Sequence, residues 1–202
     1  DRSPSRGLGD VYKRQVLKKV KSLLLSRNGD VYLGTAQGLY VYKNKERGFT
    51  LLSDERLKKL YIYSLYEDTS GRIWIGTWFS GFYTYNPKNN EVLFYDTICK
   101  GKSYRVTDFE EDSQGRIWVS TWDNGELIRL NSPRDVHSLD YKIFPVEFKS
   151  NMLSNPVMFN IEYDEAEEKL WVSTANGLYL MNDLENPTSV SYTHLRAHET
   201  DS

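Results

Sequence analysis

The stretch Tyr63–Tyr85, YSLYEDTSGRIWIGTWFSGFYTY, holds a pattern that recurs along the chain. An apolar, β-rich run ends in acidic residues, enters a turn closed by Gly71, and continues as the apolar strand IWIGT. A further strand begins after Gly81. In the turn, Asp68 and Ser70 offer local side-chain bonds, and Gly71 suits a left-handed position that glycine enters cheaply. Three other segments align with it: SLLLSRNGDVYLGTAQGLYVY at Ser22–Tyr42, TDFEEDSQGRIWVSTWDNGELIRL at Thr107–Leu130, and FNIEYDEAEEKLWVSTANGLYLM at Phe159–Met181. The turn glycine recurs as Gly29 and Gly115, whereas Asp164–Glu168 has none and is expected to turn differently. An aromatic anchor recurs at Tyr32, Trp74, Trp118 and Trp171, in steps of 42, 44 and 53 residues.

A period of this length with several short strands per unit predicts an all-β chain, a β-propeller fragment of about four blades with four antiparallel strands each. The strands VYLGT, IWIGT and WVST are apolar on both faces, the pattern of a sheet covered on both sides. The small residue in each (Gly34, Gly76, Ser120, Ser173) leaves room for an adjoining blade. The Thr that follows (Thr35, Thr77, Thr121, Thr174) is placed to bond nearby backbone. Outer strands are expected near Phe49–Leu52, Glu91–Tyr95 and Tyr141–Phe148, with the fourth lost.

Both ends are set apart from this pattern. Ser5–Gln15, SRGLGDVYKRQ, and Val190–Thr200, VSYTHLRAHET, read as translations of one transposon-end sequencing adapter in its two directions. Residues 1–15 and 190–202 are therefore treated as non-native. The alternative is a basic N-terminal arm with a His-bearing tail. Between them lies the partial propeller, residues 16–189, with blades at about 16–53, 60–97, 104–148 and 157–189.

Composition narrows the function. The 202 residues carry 26 Lys and Arg against 28 Asp and Glu, a balance that argues against a nucleic-acid partner. Apolar runs are too short for a membrane span in this stretch. One cysteine, Cys99, excludes an internal disulfide or a paired-cysteine zinc site, and reads as an inert small residue. With the ends removed only His137 remains of three histidines, so no metal site and no cofactor is expected.

The pattern EDxxGxIWIGTxxxGxxxY resembles the two-component regulator propeller repeat. Tyr63–Asn86 matches it almost throughout, and Thr107–Asn131 matches through Trp122 and departs at Glu126–Leu130. The first copy has Tyr32 for the usual Trp, and the last lacks the turn glycine. The resemblance implies a seven-bladed parent propeller in the periplasmic (extracytoplasmic) sensor of a hybrid histidine kinase, similar to systems by which Bacteroidetes detect glycan breakdown products. It also implies signalling domains beyond these residues and a possible homodimer, and it implies no catalysis by the propeller itself.

In such a blade the loop between the second and third strands opens on one face, together with the links between blades. Trp78, Phe79, Trp122, Asp123 and Asn124 fall there, and aromatic platforms beside polar groups suit an oligosaccharide ligand. The competing reading is that Trp78 and Trp122 only fill gaps between blades. Lys58, Lys59, Lys102 and Arg105 read as a solvated face that an acidic ligand could also use. The pairs Glu67–Asp68 and Glu110–Asp112 raise a glycosidase reading. They recur with the repeat and lie at the opposite turn, which marks them as structural. A non-catalytic scaffold for protein interaction is the main alternative to ligand sensing, and a propeller lyase is the more distant one. Exposed terminal blade faces are expected to make the fragment oligomeric or poorly soluble.

Overall fold

The computed structural model describes residues 19–43, 48–95, 98, 104–122, 125–131, 133, 140–145, 157–175, 177–185 and 191–192. The N-terminal adapter-like segment, Cys99, Lys102, Asp123, Asn124 and His137 lie outside the described residues. The chain divides into two compact units, residues 1–109 and 110–202.

The architecture is the all-β one expected: four blades, each of four antiparallel strands in sequential order. The first blade is β1 (Val20–Leu25), β2 (Val31–Thr35), β3 (Gly38–Tyr42) and β4 (Thr50–Leu51). The second is β5 (Ile62–Glu67), β6 (Ile73–Thr77), β7 (Phe82–Asn86) and β8 (Glu91–Phe94). The third is β9 (Val106–Glu111), β10 (Ile117–Thr121), β11 (Glu126–Leu130) and β12 (Tyr141–Pro145). The fourth is β13 (Met158–Asp164), β14 (Lys169–Thr174), β15 (Gly177–Met181) and β16 (Ser191–Tyr192). The first three outer strands fall where the sequence places them. The fourth is not lost: two residues of the adapter-like tail supply it, pairing with Tyr179 and Leu180. An edge strand asks only for backbone N–H and C=O groups, which any extended residues provide.

Strands β6 and β10 are buried at every position, as their two-faced apolar pattern requires. In the first unit Tyr32, Leu39, Leu57, Ile62, Ile73 and Ile75 form one core cluster, with Tyr83, Tyr85 and Val92 among their neighbours. Burying each such aliphatic side chain contributes about 1.5–3 kcal/mol. Beside it Trp74 stacks on Tyr95 at 5.3 Å, and Phe109 closes over Trp74 and Phe82 at 5.9 and 6.0 Å. The second unit gathers Trp118, Leu127, Met158, Ile161, Leu170 and Val172 around a core of its own.

The small residues do what their spacing suggests in the first unit. A Cβ added at Gly34 would lie 2.6 Å from Ile62 Cγ2, and one at Gly76 would lie 2.8 Å from Val106 Cγ1. The next inner strand therefore packs directly on the glycine backbone.

The first hairpin turns also repeat. Gly71 N–H donates to Asp68 O and Gly115 N–H to Asp112 O, with both glycines at left-handed φ of 83° and 74°. Gly29 closes the first blade's turn onto Ser26 O in the same way. In the fourth blade the turn does differ, as expected: Glu168 takes the left-handed position at φ 52°, and Asp164 Oδ1 accepts from Ala166 and Glu167 N–H.

Candidate functional site

In the second and third blades the turn brings two side chains together. Asp68 Oδ2 accepts the indole N–H of Trp74 at 2.9 Å, while its Oδ1 accepts from Ser70 N, Ser70 Oγ and Arg72 N. Asp112 repeats this with Trp118 Nε1 at 2.8 Å and with Gln114 N and Arg116 N. Both carboxylates are buried, and every oxygen is engaged in holding a hairpin and a core tryptophan. Glu67 accepts instead from Ser26 Oγ and Arg27 N of the preceding blade. Asp68, Asp112 and Glu67 are thus engaged in hairpins and in contacts between blades.

At the other end of each second strand a threonine closes the loop. Thr35, Thr77, Thr121 and Thr174 each donate Oγ1–H to the backbone oxygen of Gly38, Gly81, Glu126 and Gly177, at 2.7–2.9 Å. In the second blade Ser80 N–H donates back to Thr77 Oγ1, Trp78 N–H to Tyr61 O, and Gly81 N–H to Tyr104 O. These bonds fix the backbone that carries Trp78 and Phe79.

A bulge supplies their neighbours. Ile62 pairs with Thr77 and Ser64 with Gly76, so Tyr63 is an extra residue on its strand. Lys21 and Phe159 occupy the same bulge in the first and fourth blades. A bulge re-aims a side chain out of the regular alternation. Tyr63 accordingly meets Trp78 with ring centroids 4.7 Å apart, and Tyr61 meets Trp78 at 6.4 Å and Phe79 at 6.1 Å. Two cations join the group. Arg105 lies 5.5 Å from the Trp78 ring and 6.0 Å from Phe79, and Lys21 lies 5.7 Å from Tyr61. Phe79 is 58% exposed, while Trp78, Tyr61, Tyr63 and Arg105 are half-buried.

The second unit holds a smaller counterpart. Trp122 is half-buried and meets Phe159, an exposed ring, edge-on at 5.4 Å. Trp78 and Phe79 belong to the first unit and Trp122 to the second. Tyr61, Tyr63, Lys21 and Phe159 were not singled out in the sequence. Their sequence signal is slight: Lys21, Tyr63 and Phe159 differ in type, and only the serine that follows repeats, at Ser22 and Ser64. Of the basic residues noted, Lys58 pairs with Glu55, and Arg105 joins the aromatic group.

A further polar cluster explains where the third blade leaves the repeat pattern. Arg129, buried in β11, stacks 5.5 Å from Trp118 and 5.4 Å from Phe144, and donates to Asn131 Oδ1 and Leu184 O. Beside it Arg116 binds Asp112 at 2.6 Å and also Glu185. Burial pushes the Arg129 guanidinium below its usual range, with Arg116 adding to the effect. For Arg116 the same burial is overcome by the carboxylates of Asp112 and Glu185, which hold it above its usual range. Hydrogen bonding to Arg116 in turn holds Glu185 below the ordinary Glu value.

Comparison with known proteins agrees with this geometry. The two component regulator propeller profile matches residues 56–79 and 100–123. No curated protein matches the chain. The fold is similar to the extracellular domain of a protein assigned as a one component system from B. thetaiotaomicron. That match is 22% identical with a TM-score of 0.65, and covers 86% of this chain and 22% of that one. The extracellular domain of a protein assigned as a hybrid two component system from the same organism is 23% identical. Its TM-score is 0.61, covering 80% of this chain and 21% of that one. Virginiamycin B lyase from Staphylococcus aureus shares the fold at 16% identity and a TM-score of 0.62, with 84% and 53% covered. This chain thus spans about a fifth of the length of the two sensor domains it resembles. The chain has the β-propeller fold, and its residues 56–79 and 100–123 match the two component regulator propeller family.

Proposed function

We propose that this chain is part of an extracytoplasmic sensor, and that it binds an oligosaccharide on the loops joining the second and third strands of its blades. The observation that carries the reading is the group Tyr61, Tyr63, Trp78 and Phe79 with Arg105 above the rings. Sugar rings present apolar C–H faces that stack on aromatics, and hydroxyls that a guanidinium can bind. Within this group Tyr61, Tyr63, Phe79 and Arg105 change from blade to blade, while Trp78 recurs as Trp122. A residue needed by the fold should repeat with it; a residue needed by a ligand need not. Phe79 stays 58% exposed beside Tyr61 and Arg105.

Signalling would follow if the ligand binds one arrangement of the parent protein better than another, and so shifts its population toward a kinase-active or kinase-inactive state. Catalysis is not part of the proposal, since Asp68 and Asp112 are spent on Trp74 and Trp118. The test is a titration of the chain against a panel of neutral and acidic oligosaccharides, read by tryptophan fluorescence. Saturable binding that weakens about tenfold or more in Trp78→Ala and Phe79→Ala is the expected result. Binding indifferent to both variants, or none across the panel, would contradict it.

A further inference from the structure

Lys21 and Lys59 are exposed, and neither meets a carboxylate among the described residues. Carboxylates are close at hand for Lys59. The link that leads into the second blade holds Asp54 and Glu55, but these pair with Arg56 and Lys58.

The backbone brings both lysines to the aromatic group. Lys21 is the bulge residue of β1, the position that Tyr63 takes on β5, and its Nζ lies 5.7 Å from the Tyr61 ring. A bulge turns a side chain out of the regular alternation. The ring face covers one side of the ammonium and leaves N–H donors on the other. Lys59 follows a single turn in which Leu57 N–H and Lys58 N–H both donate to Asp54 O. It closes that turn at a left-handed φ of 67°, where glycine is the relaxed residue. Tyr61 stands two residues on, so the two Cα atoms are within about 7.6 Å. Arg105 adds a third positive charge, 5.5 Å from Trp78 and 6.0 Å from Phe79.

We propose that the saccharide bound here is acidic: Lys21 and Lys59 hold its carboxylate or sulfate beside Tyr61, while its ring lies on Trp78 and Phe79. This rests on the oligosaccharide reading above and narrows it from sugars in general to charged ones. The fold alone asks for neither lysine. Thr107 and Phe159 stand at the bulge position in the third and fourth blades, and glycine would relax the backbone at residue 59. A lysine binds as a compact point charge, so carboxylate and sulfate are equally suited to it, and the bonds it donates to either are charge-assisted.

The test is calorimetric titration of the 202-residue chain with acidic oligosaccharides, each beside its neutral form. The probes are tetragalacturonate with its methyl ester, and a sulfated carrageenan tetrasaccharide with its desulfated form. The acidic member of a pair should bind about tenfold more tightly or better, by a margin that shrinks as salt is raised. Which pair shows the margin tells carboxylate from sulfate. Lys21→Gln should remove most of it. Lys43→Gln, which takes away the same charge past the far end of β3, should leave it intact. Lys59→Gly should weaken acidic binding yet melt at the wild-type temperature or above, a combination that a purely structural lysine does not give. Equal binding of acidic and neutral forms, with Trp78→Ala weakening both, overturns this proposal and leaves the oligosaccharide reading standing. So does binding of neutral probes alone, or a margin unchanged in Lys21→Gln. No saturable binding by any probe removes both.

Discussion

Asp68 shows how much structure one side chain can hold. Its carboxylate closes a turn through Ser70 and Arg72 and fastens the buried indole of Trp74. Asp68→Ala leaves the indole N–H buried without an acceptor and should cost about 3 kcal/mol in denaturant unfolding. Asp68→Asn is the sharper experiment. The turn N–H groups and the indole are all donors, so the amide NH2 must face one of them. A loss of about 2 kcal/mol is expected despite near-identical shape. The first blade makes the same point in reverse: where Tyr32 replaces the tryptophan, Ser26 replaces the aspartate. The turn was legible from Asp, Ser and Gly spacing because its bonds are local. The indole bond was not, since it spans the hairpin and exists only once Trp74 has been buried.

At the scale of the element, the interface between blades rests on backbone exposed by glycine. Gly76→Ala would place a Cβ 2.1 Å from Ser64 Oγ, 2.8 Å from Val106 Cγ1 and 3.1 Å from Phe109 Cε2. Ser64 can rotate away, but Val106 and Phe109 are core residues. A loss of about 1–3 kcal/mol is expected in thermal or denaturant melts. In the second unit the tie between Glu185 and Arg116 gives a pH dependence. The folded Glu185 value is lowered, mainly by its hydrogen bond from Arg116, so its contribution is complete above the ordinary Glu value near 4.5. It is lost as pH falls through the lower folded value. Melts of Glu185→Gln should therefore fall less steeply than wild type over that acid window, and an identical slope would remove Glu185 from the account. The strands and their burial were readable from period and apolar pattern. The bulge at Tyr63 was not, because a bulge is a fault in pairing between two strands and neither strand's sequence alone contains it. For the same reason the loop residues Trp78, Phe79 and Trp122 could be picked out, while Tyr61, Tyr63 and Phe159 could not. Arg129 was visible only as a departure from the repeat; its stacking on Trp118 needed the partner strand.

For the molecule as a whole, the repeat divides its residues into two sets. One set recurs: Asp68 with Trp74 and Asp112 with Trp118 in the second and third blades, and a loop threonine in all four. The other, Tyr63 and Phe79 among them, changes from blade to blade and lies on the bulges and the strand-two-to-three loops, beside a Trp78 that recurs as Trp122. The central claim is that the second set belongs to a ligand. Tyr63→Thr tests it most directly, because Thr107 is the sequence's own residue at that position in the third blade and should be compatible with the fold. Calorimetric titration of this variant with the oligosaccharide that the wild type binds is the measurement. Affinity about tenfold weaker, with unfolding free energy within about 1 kcal/mol of wild type, is the predicted result. Unchanged affinity with a stability loss of about 3 kcal/mol or more would contradict it, and would return Tyr63 and Trp78 to the packing between blades.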